Sequence, residues 1–193
     1  AASLTRDRLE PGSWGALVFA AADEGRIDDE QAAGLFIDYL APTLNYVHGN
    51  HDVIHEMLTH PAAINGLSDG GAHVRMICDA SIPTYLLTHW ARDRVRGPRI
   101  SVEEAVRLQT SATAEVIGLA DRGVIAPGRR ADINVIDFEN LRIDFPTAVA
   151  DLPAGGTRLL QSAEGYVATI VNGRITRRNG ADTGERPGRL VRA

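Results

Sequence analysis

Near Leu119 the chain changes its periodicity, and this change constrains the fold more than any other feature. Before it, apolar residues recur at helical spacing. Asp52 to Leu58 (DVIHEML) carries Val53, Ile54 and Met57 on one side, and Pro61 stops it. Pro83 to Arg92 (PTYLLTHWAR) reads as a helix with Pro in its first turn. Ser101-Val102-Glu103-Glu104 is a capping box, and its helix runs to about Ile117, where Gly118 ends it. Ser13 to Ala22 and Gln31 to Leu40 add two shorter candidates, and Ile64 to Ser68 reads as a strand. After Leu119 the texture turns to strands. ADINVIDF suits a buried strand, and YVATIV and RITRR flank Asn172-Gly173, where both turn positions require positive φ. Asn179-Gly180 marks a further turn. The chain is therefore α/β with a β-rich end, divided at 1–122 and 123–193.

Composition narrows the function classes. The chain has 193 residues, 44% apolar and 23% charged, which suits an ordinary domain with a sizeable core. A net charge of −5 with scattered basic residues argues against a nucleic-acid partner. All twenty basic residues are Arg, so this chain offers no lysine for a Schiff base or a carbamate. The single cysteine, Cys78, excludes an internal disulfide and a cysteine-based metal cluster, and in MICDA it reads as a small buried thiol. No apolar run reaches the ~18 residues of a membrane span and no leader is evident, so the expectation is no membrane partner and a reduced, cytoplasmic setting.

Three groups invite a chemical reading. In GLSDGGAH an apolar lead-in ends on Asp69, followed by Gly70, Gly71 and His73. A carboxylate at the end of a strand, beside glycines that let a ligand approach the backbone, is where barrel enzymes put catalytic groups. The alternative is a plain turn in which Asp69 bonds its own backbone amides. A second group, His48, His51, His55 and His60, includes His51-Asp-Val-Ile-His55, which imitates HExxH with Asp for Glu. The shorter carboxylate, the helix-start chemistry of Asn50 and Asp52, and the lack of an evident third ligand favour surface histidines on a solvated helix. Third, Trp90 with Arg92, Arg94, Arg96 and Arg99 resembles a phosphate patch. The interleaved Asp93 and the single aromatic favour a solvated helix end.

GLSDGGAH, CDASIPTYLLTHWARD, SVEEAVRLQTSATAEVIGL and DRGVIAPGRRADINVIDF together resemble the C-terminal part of an amidohydrolase-superfamily enzyme, closest to the N-acyl-D-amino-acid deacylases (D-aminoacylases). The pattern T-x-x-x-A-x-x-x-G-L…D-x-G-x-I-x-P-G-x-x-A-D is met by Thr110, Ala114, Gly118, Leu119, Asp121, Gly123, Ile125, Pro127, Gly128, Ala131 and Asp132. The likeness also extends through LNYVHGNHDVIHEMLTHP and VNGRITRRNGADTGERPGRLVR.

The resemblance implies a TIM-like (β/α)8 barrel with a small β-sandwich built from both chain ends. This chain would then hold the C-terminal portion of the barrel and strands of the sandwich. It also implies zinc, one or two ions, and Asp69 as both metal ligand and the general base that moves a proton from water to the leaving amine. Gly70 and Gly71 would be bare backbone beside an N-acyl amino acid substrate. His73 would orient Asp69 or touch the substrate, and Arg75 could meet a substrate carboxylate. The histidine cluster gains no role from the resemblance.

A barrel of this type takes ~250 residues, and the His-x-His of its first strand, the middle-barrel histidines and the bridging acidic, Cys or Lys ligand find no match here. The expectation is a chain that is catalytically incomplete alone and works as a homo-oligomer or with a missing N-terminal segment, because its open sheet edge seeks a partner. The alternative is an α/β fragment acting as an assembly or interaction module. A third reading is a metalloprotein built on His51 and His55.

Overall fold

The computed structural model describes residues 49–66 and 79–191, which fall almost wholly in one compact unit, His51–Ala193. Helices come first. α1 spans Asp52–Thr59. A short 3-10 turn, Asp79–Ser81, leads into α2, Ile82–Tyr85, which continues as a π-helical segment, Leu86–Asp93. α3 is Val102–Gln109 and α4 is Ser111–Val116. Strands follow: β1 Ile133–Ile136, β2 Arg142–Ile143, β3 Thr147–Val149, β4 Arg158–Leu160, β5 Ala163–Glu164, β6 Tyr166–Val171, β7 Arg174–Arg178 and β8 Ala181–Asp182. The main sheet is antiparallel in the order β1-β6-β7-β8, and β2–β5 and β3–β4 form two small ladders.

Local chemistry accounts for most element ends. Ser101 Oγ accepts from the Glu104 N–H at 3.1 Å, the first half of the capping box. The second half is replaced: Glu104 turns outward to a bidentate pair with Arg107, both contacts at 2.7 Å. The expected single helix to Ile117 is broken at Thr110 (φ −128°, ψ −90°). Thr110 Oγ1 donates to Val106 O at 2.7 Å, and Thr113 Oγ1 lies 2.8 Å from Leu108 O, so hydroxyls compete for helical carbonyls at this break. Gly118 (φ +76°) closes α4 with a Schellman motif, in which Leu119 N–H donates to Ala114 O and Gly118 N–H to Glu115 O.

The hairpin signals hold. Asn172 (φ 49°) and Gly173 (φ 76°) join β6 to β7, and Asn179 (φ 46°) and Gly180 (φ 78°) join β7 to β8. Other expectations shift. β1 is short and half-exposed rather than buried, because it lies at the edge of the sheet and only β6 covers it, with a bulge between Val135 and Ile136. Residues 64–66 of the expected strand Ile64–Ser68 are not in a strand, and residues 67–68 lie outside the described residues. A barrel strand needs neighbours to take its backbone groups, and none pairs with 64–66 among the described residues. These residues form helices and antiparallel sheets, a mixed α/β arrangement, and show no barrel. No helix among them is long and apolar enough to cross a membrane.

The core joins the two textures. Leu86, Leu87, Trp90, Ile100, Ala105 and Leu141 form one buried cluster, with Ile54 and Leu58 of α1 and Ile136, Phe138 and Tyr166 packed against it. Leu141 is wholly buried and sits against Gly165, where an added Cβ would lie 2.7 Å from Leu141 Cα. Gly165 is also at φ +99°, so a side chain there is both strained and in collision. Gly165→Ala is expected to cost about 2 kcal/mol or more. Gly184→Ala, also at positive φ but with open space around it, should cost only about 1 kcal/mol. Urea melts of the two variants measure the difference, and equal midpoints would show that the contact with Leu141 is not tight.

Candidate functional site

The residues singled out for chemistry, Asp69, Gly70, Gly71 and His73, lie outside the described residues, as do Arg75, Cys78 and His48. What is described is the frame on either side of them. Asn65 and Gly66, the last described residues before Asp69, line a cavity of about 1140 Å³. Thr113 Oγ1 lies 3.0 Å from Asn65 O and shares its proton between that carbonyl and Leu108 O, tying the segment to the α3–α4 break. Asn65 Nδ2 is buried without a hydrogen-bond partner.

The far wall of the cavity comes from α2 and from the run before β1. It is mostly apolar, through Ile54, Leu86, Trp90 and Ile136, with Gln109 and Tyr166 among its polar groups. The Tyr166 hydroxyl is fixed by Thr84 Oγ1 at 2.8 Å. A largely apolar cleft with a few fixed polar groups suits the binding and orientation of a small ligand. Tyr85 also lines it, and burial pushes the Tyr85 phenol above its ordinary range, so it stays a neutral donor.

The motif from Asp121 to Asp132 proves architectural. Gly123 (φ +86°) passes so close to Ser111 that a Cβ would lie 2.9 Å from its Cα. Asp121 pairs with Arg122 at 3.0 Å and Arg130 at 3.2 Å, and the Arg122 bond holds its carboxyl below the usual range. Asp132 accepts the Asn172 N–H at 2.7 Å and an Arg122 N–H at 3.2 Å, pinning the β6–β7 turn to the chain entering β1. Of these, Gly123, Arg130 and Asp132 line the cavity.

The histidines are not the solvated set expected. His51 and His55 are half-buried, with ring centres 6.1 and 6.2 Å from Trp90, while His60 is exposed, its Nδ1 accepting from Ala62 N–H. His89 stacks on Tyr85 with ring centres 4.8 Å apart and planes within 5°. Among the described residues no three His, Cys, Asp or Glu side chains are grouped to hold a metal ion, so these residues do not by themselves fit a zinc site.

The arginine-rich stretch keeps the solvated reading at the exposed Arg96 and Arg99 and departs from it at Arg92 and Arg94. The Arg94 side chain is 4% exposed; its guanidinium lies 4.6 Å from the Trp90 ring centre and donates to Asp52 at 3.0 Å. Arg92 donates to the carbonyl oxygens of Phe138, Glu139 and Leu141. Neither partner set could be found from spacing, because the partners lie 42 to 49 residues away.

The model for the amidohydrolase family matches residues 13–177. An uncharacterized protein of Mycobacterium tuberculosis is 33% identical over 138 residues, covering 68% of this chain and 22% of that protein. An uncharacterized protein of Mycobacterium bovis matches to the same extent. An adenine deaminase of Cereibacter sphaeroides is 47% identical over 53 residues, covering 26% of this chain and 9% of that enzyme. The chain thus spans about a fifth of the length of its mycobacterial relatives. No solved structure matches.

The Asp132 bonds make a measurable claim. Asp132→Ala should cost about 1 kcal/mol, since it removes the acceptor of the Asn172 N–H and one of the two carboxylate partners of Arg122. Combined with Arg122→Met the loss should be less than additive, because the two side chains share a bond. A double-mutant cycle by urea denaturation checks this, and strict additivity would mean that the contact carries no energy.

Proposed function

Because this chain belongs to the amidohydrolase family, we propose that it is part of a metal-dependent hydrolase that cleaves the amide bond of N-acyl-D-amino acids, with Asp69 as the proton carrier. The observation that carries the proposal is GLSDGGAH, lying inside the family match and beginning at Gly66, which lines the cavity beside Asn65. In this reading the Asp69 carboxylate takes a proton from the attacking water as its oxygen bonds to the acyl carbon. The C–N bond then breaks, and Asp69 returns the proton to the departing nitrogen, leaving a carboxylate and a free amine.

Amidohydrolases generally depend on a metal, and we propose zinc, one or two ions, with Asp69 as one ligand. The metal would supply acidified water. Gly70 and Gly71 give the substrate access to the backbone, and His73 orients Asp69 or meets the substrate. The division at 1–122 and 123–193 separates the barrel part from the sandwich part. The activity then belongs to an assembly, either a homo-oligomer or a pairing with an N-terminal segment that completes a TIM-like barrel. We place it in the cytoplasm, acting on a small molecule with no nucleic acid or membrane involved.

A second reading rests on the stretch shared with the adenine deaminase. There water would attack a ring amidine carbon and ammonia would leave, with the same task for Asp69.

The test is a zinc-loaded preparation that supplies the rest of the barrel, assayed for amine release from N-acetyl-D- and N-acetyl-L-amino acids and for ammonia release from adenine. The D-substrates should be cleaved in preference to the L-forms. Asp69→Asn should lower kcat by about 10²–10⁴-fold while KM moves little. An unchanged kcat in that variant would remove Asp69 from the chemistry, and ammonia from adenine alone would establish the second reading. The 193-residue chain by itself should release no amine.

A further inference from the structure

α1 is held against the π-helical segment Leu86–Asp93 by an unusual set of side chains. His51, just before α1, lies with its ring centre 6.0 Å from His89 and 6.1 Å from Trp90. His55, one turn on, lies 6.2 Å from Trp90. The Arg94 guanidinium covers Trp90 and bonds Asp52. Two imidazoles that can gain charge therefore meet a fixed cation around one indole. The rest of the docking is light: Ile54 and Leu58 touch the core, and α1 itself has no fully buried residue, whereas the π-helical segment has four.

We propose that His51, His89 and Arg94 form a pH-sensitive latch. With the imidazoles neutral, α1 stays docked on the π-helical segment; protonation of His89 puts a second cation beside Arg94 and releases α1 and the residues that follow it to Gly66.

His89 is built to resist a proton. Its Nε2 is buried with no hydrogen-bond partner among the described residues, and its ring is stacked on the neutral Tyr85 phenol. Burial is the largest cause that lowers its pKa below the ordinary histidine value, and His51 and Arg94 lower it further. Asp93 is the one opposing charge, and that carboxylate is already taken by Arg92 in two contacts at 2.6 and 2.9 Å. Among the described residues no other charge acts on His89: α3, packed on the same helical segment, contributes none.

The sign follows from linkage. A histidine whose folded pKa is lowered stabilises the docked state above its unfolded value of ~6.5, and this contribution is lost as pH falls from there towards the lowered value. Each unit of lowering is a tenfold bias against the docked, protonated state. α1 fails first because its packing is the least buried.

Hydrogen exchange of the intact chain at pH 7.5 and pH 5.0, corrected for intrinsic rates, reads this directly. Amides of Asp52–Thr59 should lose protection by roughly tenfold or more at pH 5.0 while those of β6 and β7 keep theirs. His89→Phe keeps a ring on Tyr85 and cannot be protonated, so it should largely remove the pH dependence in α1. Should that variant fold poorly, NMR titration of His89 in the unaltered chain decides instead, and an ordinary pKa there overturns the latch. Protection of α1 that is unchanged at pH 5.0, or lost equally in β6 and β7, overturns it as well.

Discussion

Around the shared core, the guanidinium of Arg92 is the polar fork that fixes the helical part to the β-rich part. It lies on the π-helical segment and donates to three carbonyl oxygens of the turn between β1 and β2, those of Phe138, Glu139 and Leu141. The Phe138 ring packs 5.6 Å from its centre. These carbonyls belong to the turn that delivers Leu141 into the core, and Gly165 fills the space behind it. A planar fork can serve several acceptors at once where an ammonium would offer only a compact point charge. Were the fork lost, the carbonyls would lose partners and Leu141 its positioning, so one exposed-looking cation governs a buried joint.

That joint was not legible in the sequence, and the reason is physical. ARDRVRGPR carries the marks of a solvated helix end, and nothing local distinguishes an arginine bound to water from one bound to carbonyls 46 to 49 residues away. The features that were legible are those whose partners lie within a few residues. Ser101 caps Glu104, Gly118 closes a Schellman motif, and the Asn-Gly pairs turn their hairpins. The break at Thr110 falls between these cases. The threonines are visible, but their preference for carbonyls one turn back is decided only when packing holds Thr113 near Asn65. The edge position of β1 is topological, and an apolar run such as INVI cannot report it.

For the site, two kinds of information separate. The spacing from Thr110 to Asp132 identifies the family, yet its visible residues close helices, admit close contacts and pin a turn. They specify how the chain packs. The chemistry is assigned to Asp69 and its neighbours by resemblance, on residues that lie outside the described ones. A family match carried by packing residues therefore supports a hydrolase more firmly than it supports any one substrate, since a fold accepts many reactions.

The distribution of burial has a further consequence for how the parts yield. The wholly buried positions, Leu141 and Ala105, and the nearly buried Trp90 and Ile100 belong to one cluster that spans the joint Arg92 makes. α1 and the run to Gly66 are attached through partly buried side chains, the cluster around Trp90 and the bond from Thr113 to Asn65 O. Local opening follows the least buried contacts. The segment that leads to Asp69 is thus attached to the rigid part by polar and aromatic contacts whose strength depends on charge. Its order responds to conditions that leave the main sheet intact, because the sheet is held by a backbone ladder with no titratable group in its bonds.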